Sequence, residues 1–592
     1  MVRRSGTRFG SRLLGLTGLL AALLVGGCYP SSPPTPHTTT VPASEPGGPP
    51  SSGTASSRES AQRATPELES KIRFTDKAQA ANIHFAYHNG SEAGEYTILE
   101  SLGGGVALVD YDGDGRLDLF FPGGGRFDPQ KSILPLPSLL LRNLGDWQFE
   151  VVSDQARVRE STVYSHGVAA GDYDNDGFPD LLVTGYGGLQ LFHNQGDGTF
   201  REVGRPASVA NDSWNTSAGW ADLDGDGNLD LYVTCYVNWS FANHPFCPGA
   251  VAGQRDVCSP KRFDPLPDFV YLNNGDGTFR DASVECGLRR DGKGLGVVLG
   301  DIDLDGDVDI YVANDTTENF LYINDGHGHF EEAGLLRGVA LDESGRPNGS
   351  MGVDLGDYDL DGWPDLFVAN YENESFGLYR NLGQGNFQPV SRAAGVTSVG
   401  DLFVGFGAGF IDVDRDGAED LIVANGHVVH FSRNSSLRQL PLLLLNDGAG
   451  RFIRARLQPD PYFSQPHSGR GMAVGDLDDD GNLDIAISHN NEPVAILRNE
   501  TVNGNHWLRA RLVGRRSNRD AVGARLVLQT SVGNRLRLVK GGGSYLSQSE
   551  LRVCWGIPAG ATAESLSVTW PAGGVQTVKI EHLDHTLVLI EP

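Results

Sequence analysis

Methionine is nearly absent from this 592-residue sequence, at three residues, and cysteine is scarce, at six. So few cysteines cannot build the disulfide-dense scaffold with which small secreted domains replace a hydrophobic core. None forms a CxxC pair or a Cys/His cluster with zinc spacing. Basic residues are also short: 47 Lys and Arg face 75 Asp and Glu, for a net charge of -28. That balance excludes nucleic acid as a partner, because phosphate binding needs clustered Lys and Arg. Beyond residue 28 no apolar run is long enough to cross a bilayer. There is no Gly-x-Ser-x-Gly elbow, phosphate loop or dinucleotide fingerprint in a strand-turn-helix setting. The expectation is therefore a protein that is not an enzyme.

Glycine is abundant: 78 residues, about twice the usual share. This suits many short strands joined by tight turns, in a chain too long for one simple core. At the N-terminus Arg3, Arg4, Arg8 and Arg12 flank or precede an apolar run from Leu13 to Val25, and Gly26 and Gly27 precede Cys28. Residues 1–28 read as an export signal. The Val-Gly-Gly-Cys ending resembles a bacterial lipobox, which implies lipidation of Cys28. An extracytoplasmic lipoprotein is expected, touching a membrane only through that anchor, at the cell surface, outer membrane or periplasm. Residues 29–70, rich in Pro, Ser and Thr, bury too little to order themselves and read as a tether. In an oxidising compartment Cys247 and Cys258, eleven apart in a Pro/Gly-containing stretch, are the expected disulfide. Cys235, in an apolar run, is expected as a buried free thiol.

From residue 71 one phrase recurs seven times, Asp-x-Asp-x-Asp-Gly-x-x-Asp. The aspartates are Asp110, Asp112, Asp114 and Asp118; Asp172, Asp174, Asp176 and Asp180; Asp222, Asp224, Asp226 and Asp230; Asp301, Asp303, Asp305 and Asp309; Asp357, Asp359, Asp361 and Asp365; Asp412, Asp414, Asp416 and Asp420; and Asp476, Asp478, Asp480 and Asp484. Apolar stretches flank each loop, a third ends in Asn (Asn143, Asn194, Asn273, Asn324, Asn381, Asn446, Asn499), and in several copies a Gly-rich turn and an aromatic open a fourth. Four-strand units at intervals of 50 to 79 residues read as blades of a seven-bladed β-propeller over residues 71–504. A linear β-solenoid would have shorter, more uniform repeats. Residues 505–592 alternate with a period of two and read as a separate small β-sandwich, making the chain all-β.

Side-chain oxygens at loop positions 1, 3, 5 and 9, with a main-chain carbonyl at 7, can surround a hard cation with six or seven oxygens. That set suits calcium better than magnesium. Position 7 is Arg116, Phe178, Asn228, Asp307, Trp363, Ala418 or Asn482. Glycine at position 6 allows the reversal through positive φ that returns the last carboxylate. An EF-hand closes at position 12 between helices, whereas here closure is at 9 between strands, and Pro179 and Pro364 would disfavour an entering helix. The loops hold 28 of the 75 acidic residues, and up to seven Ca²⁺ ions would offset 14 of the 28 net negative charges. Calcium is expected to be structural; at millimolar calcium a site of ~10 μM affinity adds on the order of 2.7 kcal/mol.

The repeats resemble the FG-GAP/VCBS repeats of integrin-type propellers, most closely in GFGAGFIDVDRDG (Gly405 to Gly417). The C-terminal segment resembles the ASPIC/UnbV domain in SNRDAVGARL (Ser517 to Leu526), GGGSYLSQSE (Gly541 to Glu550) and VTWPAGG (Val568 to Gly574). With the lead-in IRFTDKAQAANIHFAYHNG (Ile72 to Gly90), the layout is similar to the cartilage acidic protein family. The resemblance implies calcium-binding extracellular modules with interaction roles and names no ligand; the main expectation is a binding protein that displays its variable loops to an extracellular protein or polysaccharide. The competing reading is an enzyme acting on polysaccharide or another extracellular substrate at the central channel, using His166 or His427 with a carboxylate outside the loops. His327 and His329 are expected in an exposed turn, and Trp507, Tyr545 and Trp570 in the sandwich core. His166, Arg470 and Met351 lie at strand entrances, where they could face the channel.

Overall fold

The computed structural model describes residues 67–592, apart from 251–252, 401, 433–434 and 458–460. The export signal, Cys28 and almost all of the tether lie outside the described residues.

Seven antiparallel sheets of four strands follow one another along the chain. Blade 2 shows the pattern: an inner strand Tyr164–Gly171, a metal-loop turn, then Asp180–Tyr186, Gly188–Asn194 and a short outer strand Phe200–Glu202. The inner strands are buried along their whole length, in blade 2 and equally in Asn215–Ala221, Gly294–Gly300 and Gly405–Ile411. Small residues dominate them because they line a narrow axis. The fold is the expected all-β propeller followed by a small β-sandwich. That second domain packs a mixed sheet of Val553–Ile557, His506–Val513 and His585–Ile590 on a four-stranded sheet of Gly533–Leu538, Arg525–Thr530, Ala563–Thr569 and Val575–Lys579.

Two features were not legible beforehand. The ring closes with a strand from the other end of the propeller sequence: Phe74–Asp76 supplies the outer strand of blade 7, antiparallel to Ala495–Asn499. Glu67–Ser70 likewise adds a parallel edge strand to blade 6. Second, the sandwich sends a finger, residues 541–550, into the propeller axis. It hydrogen-bonds to all seven blades in turn: Gln548 N to Val106 O (2.9 Å), Val168 N to Leu546 O (3.0 Å), Leu546 N to Ser217 Oγ (3.0 Å), Gly543 N to Val297 O (2.8 Å), Ser544 N to Val353 O (2.7 Å), Ala408 N to Ser544 Oγ (3.2 Å) and Glu550 N to Val474 O (3.0 Å). Tyr545 therefore leaves the sandwich core to which the sequence assigned it. It is fully buried at the fingertip, its ring 4.9 Å from that of Phe406. A Cβ on Gly541 would lie 2.1 Å from Trp220 O, so the approach needs glycine. Trp570 does pack in the core that the sandwich shares with blades 2 to 4, whereas Trp507, also buried, lies outside that core, against Gly481 of the blade 7 metal loop.

Candidate metal centres

Each metal loop joins the inner strand of a blade to the next, at one end of the ring. Its glycine at position 6 has positive φ in every copy, from 86° at Gly481 to 109° at Gly306. Position 4 is also left-handed throughout, even where it is Leu304, Leu360 or Arg415. Gly113, Asn175, Gly225 and Asp479 suit that conformation; at Leu304, Leu360 and Arg415 the surrounding loop imposes it.

The aspartates divide the work. At position 9 both carboxylate oxygens accept backbone N–H groups: in blade 6, Asp420 Oδ1 takes Asn446 N (2.8 Å) and Oδ2 takes Val413 N (3.1 Å). The same pair recurs from Asp118, with Asn143 N and Tyr111 N, to Asp484, with Asn499 N and Leu477 N. At position 1 one oxygen accepts the position-6 glycine N–H, as from Gly177 to Asp172 (2.7 Å) and Gly481 to Asp476 (2.8 Å). At position 5 one oxygen accepts the position-7 N–H, as from Asn228 to Asp226 (2.8 Å).

What remains is a set of inward-facing oxygens. Asp110, Asp112 and Asp118 can each present an oxygen within 4.8 Å of the others, as can Asp222, Asp224 and Asp230, and Asp301, Asp303 and Asp309. Several of these oxygens are buried with no hydrogen-bond partner: Oδ1 of Asp110, Asp301 and Asp357 at position 1, and of Asp224, Asp303, Asp359, Asp414 and Asp478 at position 3. Burial and the neighbouring carboxylates push Asp118, Asp172 and Asp412 up to about 8. Buried, unpaired, mutually repelling carboxylate oxygens in an all-oxygen set fit a hard divalent cation. Blade 2 differs, because His193 Nδ1 lies 3.2 Å from Asp180 and 3.4 Å from Asp174.

The third-strand asparagine belongs to the same machinery. Its Nδ2 donates to the position-2 carbonyl of the preceding blade: Asn194 to Tyr111, Asn273 to Tyr173, Asn324 to Leu223, Asn381 to Ile302, Asn446 to Tyr358, Asn499 to Val413, and Asn143 to Leu477, all at 2.8 to 3.0 Å. Seven side chains thus link seven metal loops into a closed ring. The sequence displayed the asparagine but not its partner.

The C-terminal domain covers this end. Arg509 pairs with Asp476 at 2.7 Å, Asp520 accepts from Asp172 N at 2.9 Å, and Gly556 N donates to Asp412 at 3.1 Å. The opposite end carries the longer connections. Cys247 and Cys258 are bonded there, with Cα atoms 5.3 Å apart. Asp256 beside them accepts from His430 N and Phe431 N of blade 6 at 3.0 and 2.9 Å. The insertion therefore reaches across the mouth. Beneath it lies a cavity of about 590 Å³ lined by Tyr236, Tyr371, Phe406, Asp315, Glu374 and Lys261, among others.

The remaining candidates are placed as follows. His166 is buried in the channel wall between Tyr87 Oη and Trp214 Nε1, each at 3.0 Å, and burial lowers it to about 3. Arg470, 2% exposed, donates to five carbonyls, including Ser101 and His427, and lies 4.0 Å over the Phe406 ring. Met351 lines the cavity. His427 Nδ1 accepts from Val429 N at 2.9 Å and Nε2 lies 3.4 Å from Glu372. His327 and His329 are exposed in their turn, and Cys235 is a buried free thiol.

Seven radial sheets tied together at aspartate-rich, cation-fitting loops define a metal-loop β-propeller. Sequence profiles place the chain further: the FG-GAP-like repeat matches residues 172–233, 253–312, 301–368, 357–423 and 412–487, and the ASPIC and UnbV domain matches 514–592. The chain belongs to the FG-GAP-like repeat family and carries a C-terminal ASPIC and UnbV domain. Cartilage acidic protein 1 of Mus musculus is 26% identical over 496 residues, 73% of this chain and 74% of that protein. Its Homo sapiens counterpart is 27% identical over 494 residues, 79% and 69% respectively. Among solved structures, the BP39L lectin from Burkholderia pseudomallei matches with a TM-score of 0.41 at 10% identity, covering 67% of this chain and 96% of the lectin. BBS1N in complex with ARL6DN gives 0.36 at 10%, covering 74% and 99%.

Proposed function

We propose that the protein is an extracytoplasmic, calcium-loaded binding module that engages an extracellular protein or polysaccharide at the propeller mouth facing away from its metal loops. One observation carries this reading: the metal-loop end lies under the C-terminal domain, while the other mouth holds a cavity of about 590 Å³ beneath the disulfide-bearing insertion. The calcium ions are structural. Asp110, Asp172, Asp222, Asp301, Asp357, Asp412 and Asp476, with the later aspartates of each loop, would hold them. Each ion would neutralise carboxylates that otherwise repel one another, keeping the loop closed on its blade. A rigid rim lowers the entropy lost on binding. The disulfide supports an oxidising compartment, and Cys28 is the proposed lipid anchor. Screening purified protein on glycan and surface-protein arrays, with calcium and with chelator, tests the reading. Calcium-dependent capture is expected; binding abolished by blocking the C-terminal domain but not the cavity would overturn the choice of face.

A second reading, catalysis on a polysaccharide at the same mouth, draws on two carboxyls in the cavity. Asp315, which accepts from Tyr236 Oη at 2.5 Å, is raised by burial to about 6, and Glu374 is raised for the same reason. Release of reducing ends by the native protein, lost in Asp315→Asn with binding retained, would favour it.

A further inference from the structure

The seven loops share their aspartates but differ in the residue immediately before the third-strand asparagine. That position is Arg142, His193, Leu272, Ile323, Arg380, Leu445 and Arg498 in blades 1 to 7. Its side chain comes from the strand beside the metal loop and reaches the loop's outer carboxylates. In blade 1 Arg142 Nε lies 2.6 Å from Asp112 and its Nη2 lies 3.6 Å from Asp114. In blade 5 Arg380 pairs with Asp359 at 2.5 Å and Asp361 at 2.9 Å. In blade 7 Arg498 pairs with Asp478 at 2.8 Å and Asp480 at 3.3 Å. Each time, the guanidinium takes the carboxylates of positions 3 and 5.

In blades 3, 4 and 6 an aliphatic side chain occupies that place. Among the described residues, no ion pair within 4.0 Å reaches Asp224, Asp303 or Asp414; the buried, unpartnered Oδ1 is common to both sets, Asp359 and Asp478 included. Arg535 and Arg537 approach loop 6 from the C-terminal domain, but the ion pair of Arg537 is with Glu419. Blade 2, with His193 near Asp174 and Asp180, belongs to neither set.

We infer that the residue before the third-strand asparagine sorts the calcium sites into two affinity classes, with loops 3, 4 and 6 tight and loops 1, 5 and 7 weak. The physical reason is charge count. Oxygen-ligand sites are tuned by how many negative charges face the ion and how freely they can move onto it. An internal guanidinium removes one net charge from the loop, repels the incoming cation, and holds the carboxylates of positions 3 and 5 by their other oxygens, so that they are less free to move onto the ion. An aliphatic neighbour does none of these. Loops 1 and 7 should be the weakest, because each carries a second guanidinium, Arg116 on Asp114 and Arg509 on Asp476. The inference rests on the calcium reading above and adds to it the order of filling.

Terbium(III) is a suitable probe, because Trp363 occupies position 7 of loop 5 and can sensitise an ion bound there. On the full-length protein, the part of the emission lost in Trp363→Leu is the signal of loop 5. It is expected to rise only after the first three ions have bound, as counted by flow dialysis. Arg380→Leu should move its midpoint to about tenfold lower terbium, and Ile323→Arg should move one ion from the tight class to the weak one. Circular dichroism establishes that each variant is folded. A loop 5 signal that rises with the first ions, or a midpoint unchanged in folded Arg380→Leu, overturns the two-class inference. Absence of any bound ion would instead defeat the calcium reading itself.

Discussion

The guanidinium of Arg509, 3% exposed, lies 2.7 Å from Oδ2 of Asp476, the first carboxylate of the last metal loop. Domain docking and metal-loop electrostatics are therefore parts of one interface. A buried carboxylate that loses its partner destabilises by about 3 to 5 kcal/mol, unless another cation neutralises it. Arg509→Leu should accordingly lower the melting temperature strongly in chelator and much less in excess calcium. Thermal melts of wild type and variant under both conditions measure that difference.

Asn446 bonds its own loop at Glu419 O (3.0 Å) and the preceding loop at Tyr358 O (2.8 Å). Asn446→Ala leaves two buried carbonyls without donors, at about 1 to 3 kcal/mol each. Because the ring is closed, the whole propeller should lose stability together. Denaturant unfolding should remain a single transition at lower midpoint.

Tyr545 fills the axis at the tip of the finger. Tyr545→Ala should cost about 3 to 5 kcal/mol, as for other large aromatic truncations. It should also raise protease sensitivity between residues 540 and 550, which limited proteolysis with mass mapping would detect.

Glu100 is buried beside Thr97, with Oε1 accepting Thr97 N and Oε2 unpartnered. Burial raises its carboxyl from 4.5 to about 7. Below pH 4.5 it is protonated in both folded and unfolded states, so its contribution is fully present. Between pH 4.5 and 7 the unfolded chain ionises first, and stability falls as pH rises. Glu100→Gln escapes this penalty, so the variant should match wild type at pH 4 and exceed it by up to about 3 kcal/mol at pH 8. Urea denaturation at the two pH values is the check.

The aspartate loops were legible because a site able to hold a cation needs fixed residue types at fixed spacing: Asp at 1, 3, 5 and 9, and Gly at 6. The left-handed backbone at Leu304 and Leu360 was not, since the loop imposes it on residues with no preference for it. Phe74–Asp76 gave no local hint of pairing with a strand more than 400 residues away, because strand pairing partners leave no local mark in a single sequence. The finger misled in another way. Its alternation reads as one more sandwich strand, and only the run Gly541, Gly542, Gly543 hinted at backbone packed against backbone.

If the aspartate loops hold divalent cations, those ions stabilise the ring. Scanning calorimetry of protein stripped with chelator and then titrated with calcium tests it most directly. The expected result is a melting temperature that climbs with calcium concentration and saturates, with magnesium far less effective. A melting temperature indifferent to calcium from micromolar to millimolar would contradict it.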